Sequence, residues 1–439
     1  MKKGIISILL VTCLAAVSGC TNQETAPDPG NTEDTANAES RMASDTAAEA
    51  ETDGSENELE MIVNWEIFMA CSPYGCYEIG SFSSDYTGNI LYTDVETRQR
   101  IFLSPDLSAD HNDPSDPSWV ENTHGGCGLF AMDDTLFMCR TNVDDTPGEL
   151  YRMDLDGRNR QSIVTFTDYN APTGGIASDG QDLYTILQKQ DKQWLVRICT
   201  DSGKIEPLKE MGGDAAFLVS AYGDNLVLKE IHAEDKDSED PMAPYYSQVH
   251  RISQYNITDG TEKEILSWQQ DTMTEEYSGE YIYLLDVDND CLKEVCLSTG
   301  EERMIVDSLS AESVNVEEIG SFYPIYDQHL IFDIVGDTGE FAKMGIDLRD
   351  GKVFTLEPYT QSLDAYSRQH LGIIGEFGDE FLVTSGTLEV PVDSFDPAGN
   401  PIVTDVLMSK LSVIKKEDFW NNRFDAMEPV EDVFLEVLN

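Results

Sequence analysis

The stretch Leu150–Val164, "LYRMDLDGRNRQSIV", alternates apolar and polar residues, turns at Asp156-Gly157 and returns in a second short run. That is the signature of a β-hairpin. The pattern recurs at "NILYTDVETRQRIFL", "WLVRICTDSGKIEPL", "VHRISQYNITDGTEKEIL", "CLKEVCLSTGEERMIV", "AKMGIDLRDGKVFTL" and, most degenerately, "LMSKLSVIKKEDFW". Turns at Thr97, Gly157, Gly203, Gly260, Gly300, Gly351 and Lys416 lie 60, 46, 57, 40, 51 and 65 residues apart. Such a drifting period fits one four-stranded unit repeated with insertions.

A second hairpin precedes each copy, as in "GLFAMDDTLFMCR", "GGIASDGQDLYTIL" and "FLVSAYGDNLVLKEI". Helical periodicity is scarce. Four antiparallel strands repeated seven times predict an all-β fold, a β-propeller of seven four-stranded blades, with six or eight blades as the alternative counts. A β-sandwich would not need the same hairpin seven times. The first blade is expected to take Val63–Ala70 and Cys76–Ser83 as its inner hairpin. Connections between first and second strands, and between third and fourth, are uniformly short and share one face of the disc. The long insertions belong to the opposite face: 105–126, 141–148, 232–247, 268–275, 308–318, 358–370 and 386–404. Loops longer than a turn requires tend to carry function. The candidate binding residues are therefore taken from that long-loop face: Trp119, His124, Tyr245, Tyr246, Trp268, Tyr359 and Phe395. Flat aromatic side chains among acidic and amide groups suit a sugar or a peptide. Glycines in "HGGCG" at His124 and "TGGIA" at Thr173 allow inner strands to crowd around the axis, or a ligand to approach the backbone.

The "LYRMDLDG" repeat resembles that of bacterial extracellular propellers of unknown function, which are similar to the YWTD propellers of lipoprotein receptors. The resemblance covers roughly 64–427. The YWTD tetrapeptide itself is absent, its place being taken by "LFMC" at Leu136 and "LYTI" at Leu183. YWTD repeats usually close into six blades, so the resemblance implies architecture and not a shared ligand.

The amino terminus, "MKKGIISILLVTCLAAVSGC", carries Lys2 and Lys3 ahead of an apolar run too short to span a bilayer. Its end, Val17-Ser18-Gly19-Cys20, resembles a bacterial lipobox, in which the cysteine is lipidated and becomes the first mature residue. Two acyl chains anchor a protein stably without a transmembrane helix. The expectation is a signal peptide over 1–19 and a protein held by Cys20 on the extracytoplasmic face of the cell membrane. Between residues 21 and 60 stand twelve acidic residues, one Arg and no aromatic. Such a segment buries too little apolar surface to fold and reads as a disordered acidic linker, 20–60 with the anchor. The propeller is expected over 61–427, followed by a tail, 428–439. The formal charge is −55, a balance that repels nucleic acid.

Seven cysteines lie beyond Cys13 and Cys20; the number is odd, so at least one is unpaired if the others bridge. Cys71 and Cys76 are placed to close a small loop if the pleat brings them together. Asp154-x-Asp156-Gly157 lacks the later acidic ligand of a calcium loop. "DVDNDCLKEVCL" from Asp286 has Cys291 where an EF-hand needs glycine and Leu297 where it needs glutamate. Six histidines form no HxH or HExxH pair, and neither GxSxG nor a P-loop occurs. No metal or cofactor set emerges. The sequence thus points to a tethered, monomeric binding module for a glycan, a peptide or an envelope protein. The competing reading is a glycan-cleaving hydrolase or lyase working at the channel mouth.

Overall fold

A computed structural model describes residues 58–64, 69–82, 87–106, 111–121, 126–143, 146–234, 248–269, 273–309, 316–336, 341–357, 370–395 and 401–438. Seven consecutive sheets follow one another along the chain. Their first strands are Ala70–Ser72, Cys127–Met132, Ile176–Ser178, Ala215–Tyr222, Met273–Ser278, Val316–Tyr326 and Gly372–Phe377. Each first strand pairs antiparallel with the second, the second with the third and the third with the fourth. The fold is a seven-bladed β-propeller.

The hydrophobic layers follow from the alternation. In a sheet every second side chain points to the same side, so each blade offers an apolar face to both neighbours. Leu129, Leu136 and Met153 of blade 2 meet Ile90 and Leu103 of blade 1. Tyr283 and Leu285 of blade 5 meet Phe332 and Ile346 of blade 6. Ile331 of blade 6 meets Phe381 and Ile414 of blade 7, and Leu382, Leu411 and Val413 of blade 7 meet Cys76 and Val95 of blade 1. That last layer closes the ring.

The turns of the first six repeats are as the sequence implies. Asp327 and Gln328 both adopt positive φ, 46° and 60°, as a two-residue hairpin turn matched to strand twist requires. Gly157 takes φ +80°, and its amide donates to the Asp154 carbonyl at 2.9 Å. Asn159 Nδ2 donates to Asp154 Oδ2 at 2.7 Å and the Arg158 amide to Asp156 Oδ1 at 3.0 Å. The carboxylates of "LYRMDLDG" thus serve their own turn.

Three local expectations change. The inner strand of blade 1 is Ala70–Ser72, paired with Gly75–Gly80. The residues before it form a separate strand, β1 (Glu60–Val63), which pairs with the first strand of blade 3. The last repeat does not turn at Lys416, where a short helix, α1 (Lys416–Trp420), begins. The outermost strand of blade 7 comes later, at Glu428–Pro429, paired with Ser412 and Val413. Residues 428–439, read as a tail, also supply Glu431–Asp432, a strand that runs parallel to Gln99–Phe102 at the outer edge of blade 1. The ring therefore closes by adding a strand, and no blade is made of two chain ends.

Charge holds this closure. Arg100 is 0 % exposed; its Nε donates to Asp432 Oδ1 at 2.7 Å and its Nη1 to Glu78 Oε1 at 2.7 Å. Arg98 grips both carboxylate oxygens of Glu380 in blade 7, at 2.8 and 2.9 Å. The Cys71–Cys76 disulfide lies at the same seam. A Cβ on Gly375 of blade 7 would stand 2.9 Å from Cys71 Sγ, so the glycine makes room for it. On the short-turn face, His329 stacks on Trp420 of α1 with ring centroids 4.0 Å apart, and the Trp420 indole donates to Asp327 at 2.9 Å.

Two outcomes are expected. Asp432→Ala leaves a buried guanidinium short of a partner and should destabilise the domain by about 3–5 kcal/mol, read as a lower urea midpoint. An unchanged midpoint would remove the closure role. Burial holds the His329 imidazole below its usual range, against the raising effects of the Asp327 carbonyl and the Asp347 carboxylate. A depressed histidine contributes stability above its unfolded pKa of about 6.5, lost as pH falls through the folded value. The gap in melting temperature between wild type and His329→Gln should therefore shrink as pH falls from about 7.5 to about 5. A gap constant with pH would contradict this.

Candidate functional site

The first strands of successive blades surround the axis, and β1 lies among them. It contacts the inner strands of blades 2, 3 and 4. Its partners on blade 3 are Ser178 for Glu60, Ala177 for Met61 and Ile176 for Val63, with a register shift between Met61 and Val63. Leu59 is buried, and its amide donates to the Gly223 carbonyl at 2.9 Å. Gly223 is the turn between the first two strands of blade 4, on the short-turn face. The chain thus arrives at the short-turn face and climbs the axis toward the long-loop face, where blade 1 begins. An inner edge strand exposes unpaired backbone groups; on blade 3, β1 covers them.

The glycines flanking the axis have a steric cause. Gly175 takes φ +59°, and a Cβ there would stand 2.5 Å from the Leu218 carbonyl oxygen of blade 4. Gly126 takes φ +111°. Close approach of neighbouring strands is the reading that "TGGIA" obeys.

On the long-loop face, Trp119 and Val120 form a two-residue strand against Asn89 and Gly88 of blade 1. The Arg160 guanidinium donates to the carbonyls of Trp119 and Pro117, so blade 2 grips this loop. Beneath it is a polar network. His111 Nδ1 lies 3.0 Å from Asp116 Oδ2, which also accepts from Ser104 Oγ at 2.9 Å. Asp116 Oδ1 accepts from the Ser118 amide and hydroxyl at 2.8 and 2.6 Å. Burial pushes the Asp116 carboxyl up, but hydrogen bonds from Ser118, Ser104 and His111 outweigh it and hold it below the usual range. Asn89 Nδ2 closes the network on the His111 carbonyl at 2.8 Å.

Trp268 ends the fourth strand of blade 4 opposite His250, with ring centroids 5.3 Å apart, and packs on the layer between blades 4 and 5. Its buried indole N–H finds no acceptor. Trp119 and Trp268 stand three blades apart and form no common site. Phe395 pairs with Pro401 at the far end of the long hairpin of blade 7. Cys20, His124, Tyr245, Tyr246 and Tyr359 lie outside the described residues.

Side chains that the sequence did not single out form buried charge pairs. Lys229 of blade 4 is paired with Glu275 of blade 5 across their interface. Burial pushes the Glu275 carboxyl up, and Lys229 pulls it back. Glu230 accepts from the amides of Gly212 and Gly213 at 2.6 and 3.2 Å. In blade 6, Tyr323 donates to Asp333 at 2.7 Å, while Lys343 Nζ lies 3.1 Å from Asp333 and 3.4 Å above the Tyr323 ring. The only signal was weak: "LKEI" places two adjacent charges in a strand whose faces are both covered. Among the described residues, no three His, Cys, Asp or Glu side chains converge as metal ligands.

Beside β1, a cavity of about 250 Å³ opens on the axis between the inner strands of blades 4, 5 and 6. Glu60, Met61 and Asn64 form one wall; Ser220, Tyr277 and Ile325 face them.

No protein-family model matches the chain, and no curated protein matches it in sequence. Solved structures resemble it. The β-propeller domain of the Trilobed protease from Pyrococcus furiosus is 12% identical, with 84% of this chain and 99% of that one covered at a TM-score of 0.46. An oligogalacturonate lyase in complex with manganese is 12% identical over 84% of this chain and 86% of that one, at 0.42. A puromycin-hydrolyzing peptidase of Mycobacterium tuberculosis is 12% identical over 86% of this chain, at 0.47. The chain spans only 53 to 58% of the puromycin hydrolases and peptidases it matches.

The thiols have distinct surroundings. Hydrogen bonds from Ser298 and Thr299 hold the half-buried Cys296 thiol below its usual range. Burial pushes Cys127 up to about 12 and Cys139 higher still. Iodoacetamide at about pH 8 should label Cys296 ahead of Cys127 in the native protein, and the buried Cys139 only after unfolding. Mass mapping that found Cys139 alkylated in the native state would contradict the burial.

Proposed function

We propose that this chain is a lipid-tethered binding module on the extracytoplasmic face of a bacterial membrane. Its long-loop face presents to a glycan, a peptide or an envelope protein. One observation carries the reading: the described chain reaches the propeller on the short-turn face, beside Gly223, and travels up the axis before blade 1 begins. The described chain thus enters on the face opposite the long loops. The lipobox-like Val17-Ser18-Gly19-Cys20 and the acidic residues after it supply anchor and spacer. No helix among the described residues is long and apolar enough to cross a membrane, and two acyl chains on Cys20 would hold the protein without one.

Two measurements test this. Cys20→Ala should release the protein into the medium, and a variant that stays in the membrane fraction would remove the anchor. The released chain, applied to broad glycan and peptide arrays, should bind a restricted set of ligands. Replacing Trp119 by Ala should weaken that binding without lowering the melting temperature. Silence across the arrays would overturn the binding role.

A further inference from the structure

The second and third strands of blade 7, Glu380–Phe395 and Pro401–Lys415, run far past their neighbours. The first strand reaches only to Thr384, and the fourth pairs only with Ser412 and Val413. Beyond these points the two continue as an arm, in unbroken register from Gly386 opposite Lys410 to Phe395 opposite Pro401. The arm occupies the connection 386–404 of the long-loop face. One of its sides is covered: Val390 and Val392 are buried, and Leu388 and Met408 pack on Leu91, Phe102 and Phe434. The other side is open, with Val403 67% and Leu407 55% exposed and an exposed Asp405 between them.

The two edges of the arm differ. Ser385 Oγ of the second strand donates to the Lys410 carbonyl at 3.3 Å. The Ser409 and Leu411 carbonyls accept from outside, from Arg100 Nη1 and the Val430 amide, each at 3.1 Å. Backbone groups of alternate residues share an edge, so Leu407, Asp405 and Val403 also turn N–H and C=O outward. Among the described residues, no strand pairs with that stretch. On the opposite edge, the outward position across from Asp405 is Pro391, which has no N–H to offer. The proline blunts one edge, and the other is left as a template for pairing.

We propose that the edge from Val403 to Leu407 takes up an extended segment of a partner protein as an added strand, with Lys or Arg alternating between two aliphatic residues. In strand addition, main-chain hydrogen bonds supply affinity and alternate side chains supply specificity. Aliphatic side chains of the added strand meet Val403 and Leu407, and its basic residue answers the Asp405 carboxylate. A second copy of this chain is a poor occupant. Pairing Val403 with Leu407 of the copy sets the two Asp405 carboxylates against each other, and chains of formal charge −55 repel. The inference deepens the reading of the long-loop face and rests on it for placing a protein partner there.

The test is calorimetric titration of the full chain carrying Cys20→Ala, at low salt. The probes are acetylated, amidated peptides: TVTKTVT, TVTETVT, and TVTKTVT N-methylated at its valines and lysine. TVTKTVT should bind saturably at one site below about 1 mM, with the other two at least about tenfold weaker. Asp405→Lys should invert the preference between the lysine and glutamate peptides. Leu407→Pro removes an outward N–H and should weaken binding by about tenfold or more. Asp405→Lys changes an exposed side chain, so it keeps the test decisive if the proline disturbs the arm. Absence of saturable binding by TVTKTVT, or binding that N-methylation and both substitutions leave unchanged, would overturn the proposal. Sedimentation should show a monomer; a dimer dissolved by Leu407→Pro assigns the edge to a second copy and overturns it too. Array ligands held through Trp119, with no binding of TVTKTVT, would remove this site and leave the long-loop reading standing.

Discussion

The ring depends on how its first and last blades are joined. A propeller whose blades are each made of contiguous chain has one seam without covalent continuity, and here that seam is fastened by a buried guanidinium. Arg100, at 0 % exposure, faces Glu78 of its own blade and Asp432 of the closing strand. A buried charge is tolerated only when paired and hydrogen-bonded. Its position therefore fixes where residues 431–432 must lie, and the strand carries Phe434 into a cluster with Leu91 and Phe102. Arg98, the disulfide and Gly375 then follow as fittings of the same joint.

The axis is the second constraint. Seven inner strands leave a channel whose walls are edge strands, and an edge strand is a template for pairing. The chain fills part of that template itself with β1, at the cost of a register shift after Met61. Because β1 begins at the short-turn face, it adds to the difference between the two faces of the disc. One receives the chain; the other carries the long loops. The axial cavity is what remains on the side that β1 does not cover.

Polar groups inside the blades follow the same logic of compensation. Lys229 with Glu275, and Lys343 with Asp333 and Tyr323, are charges placed in layers that are otherwise apolar, and each is answered by a partner on a neighbouring strand or blade. Tyr277 and Trp268 are among the described residues that keep a buried donor unpaired. Buried polar atoms without partners are uncommon in native proteins.

Seven hairpin repeats, the turn residues of the first six and the division into a short-turn face and a long-loop face were legible in the sequence, because alternation and turn chemistry are local. The strand period of two and the positive-φ demand of Gly157 act within a few residues. The close approach that excludes a side chain from Gly175 was one of two readings, and only the packing of blade 4 against it decided which. Candidate site residues were less legible. Trp268 looks like a loop aromatic but packs between blades, and nothing local distinguishes these roles. Residues 428–439 read as a tail yet supply the closing strand Glu431–Asp432, and "VNWEIFMA" reads as one inner strand, whereas Val63 ends β1 and Ala70 begins the first strand of blade 1. A two- or four-residue strand has no period of its own to declare itself. Its partner is chosen by whichever unpaired edge the closed ring brings within hydrogen-bonding distance, and that edge exists only once the tertiary structure has formed.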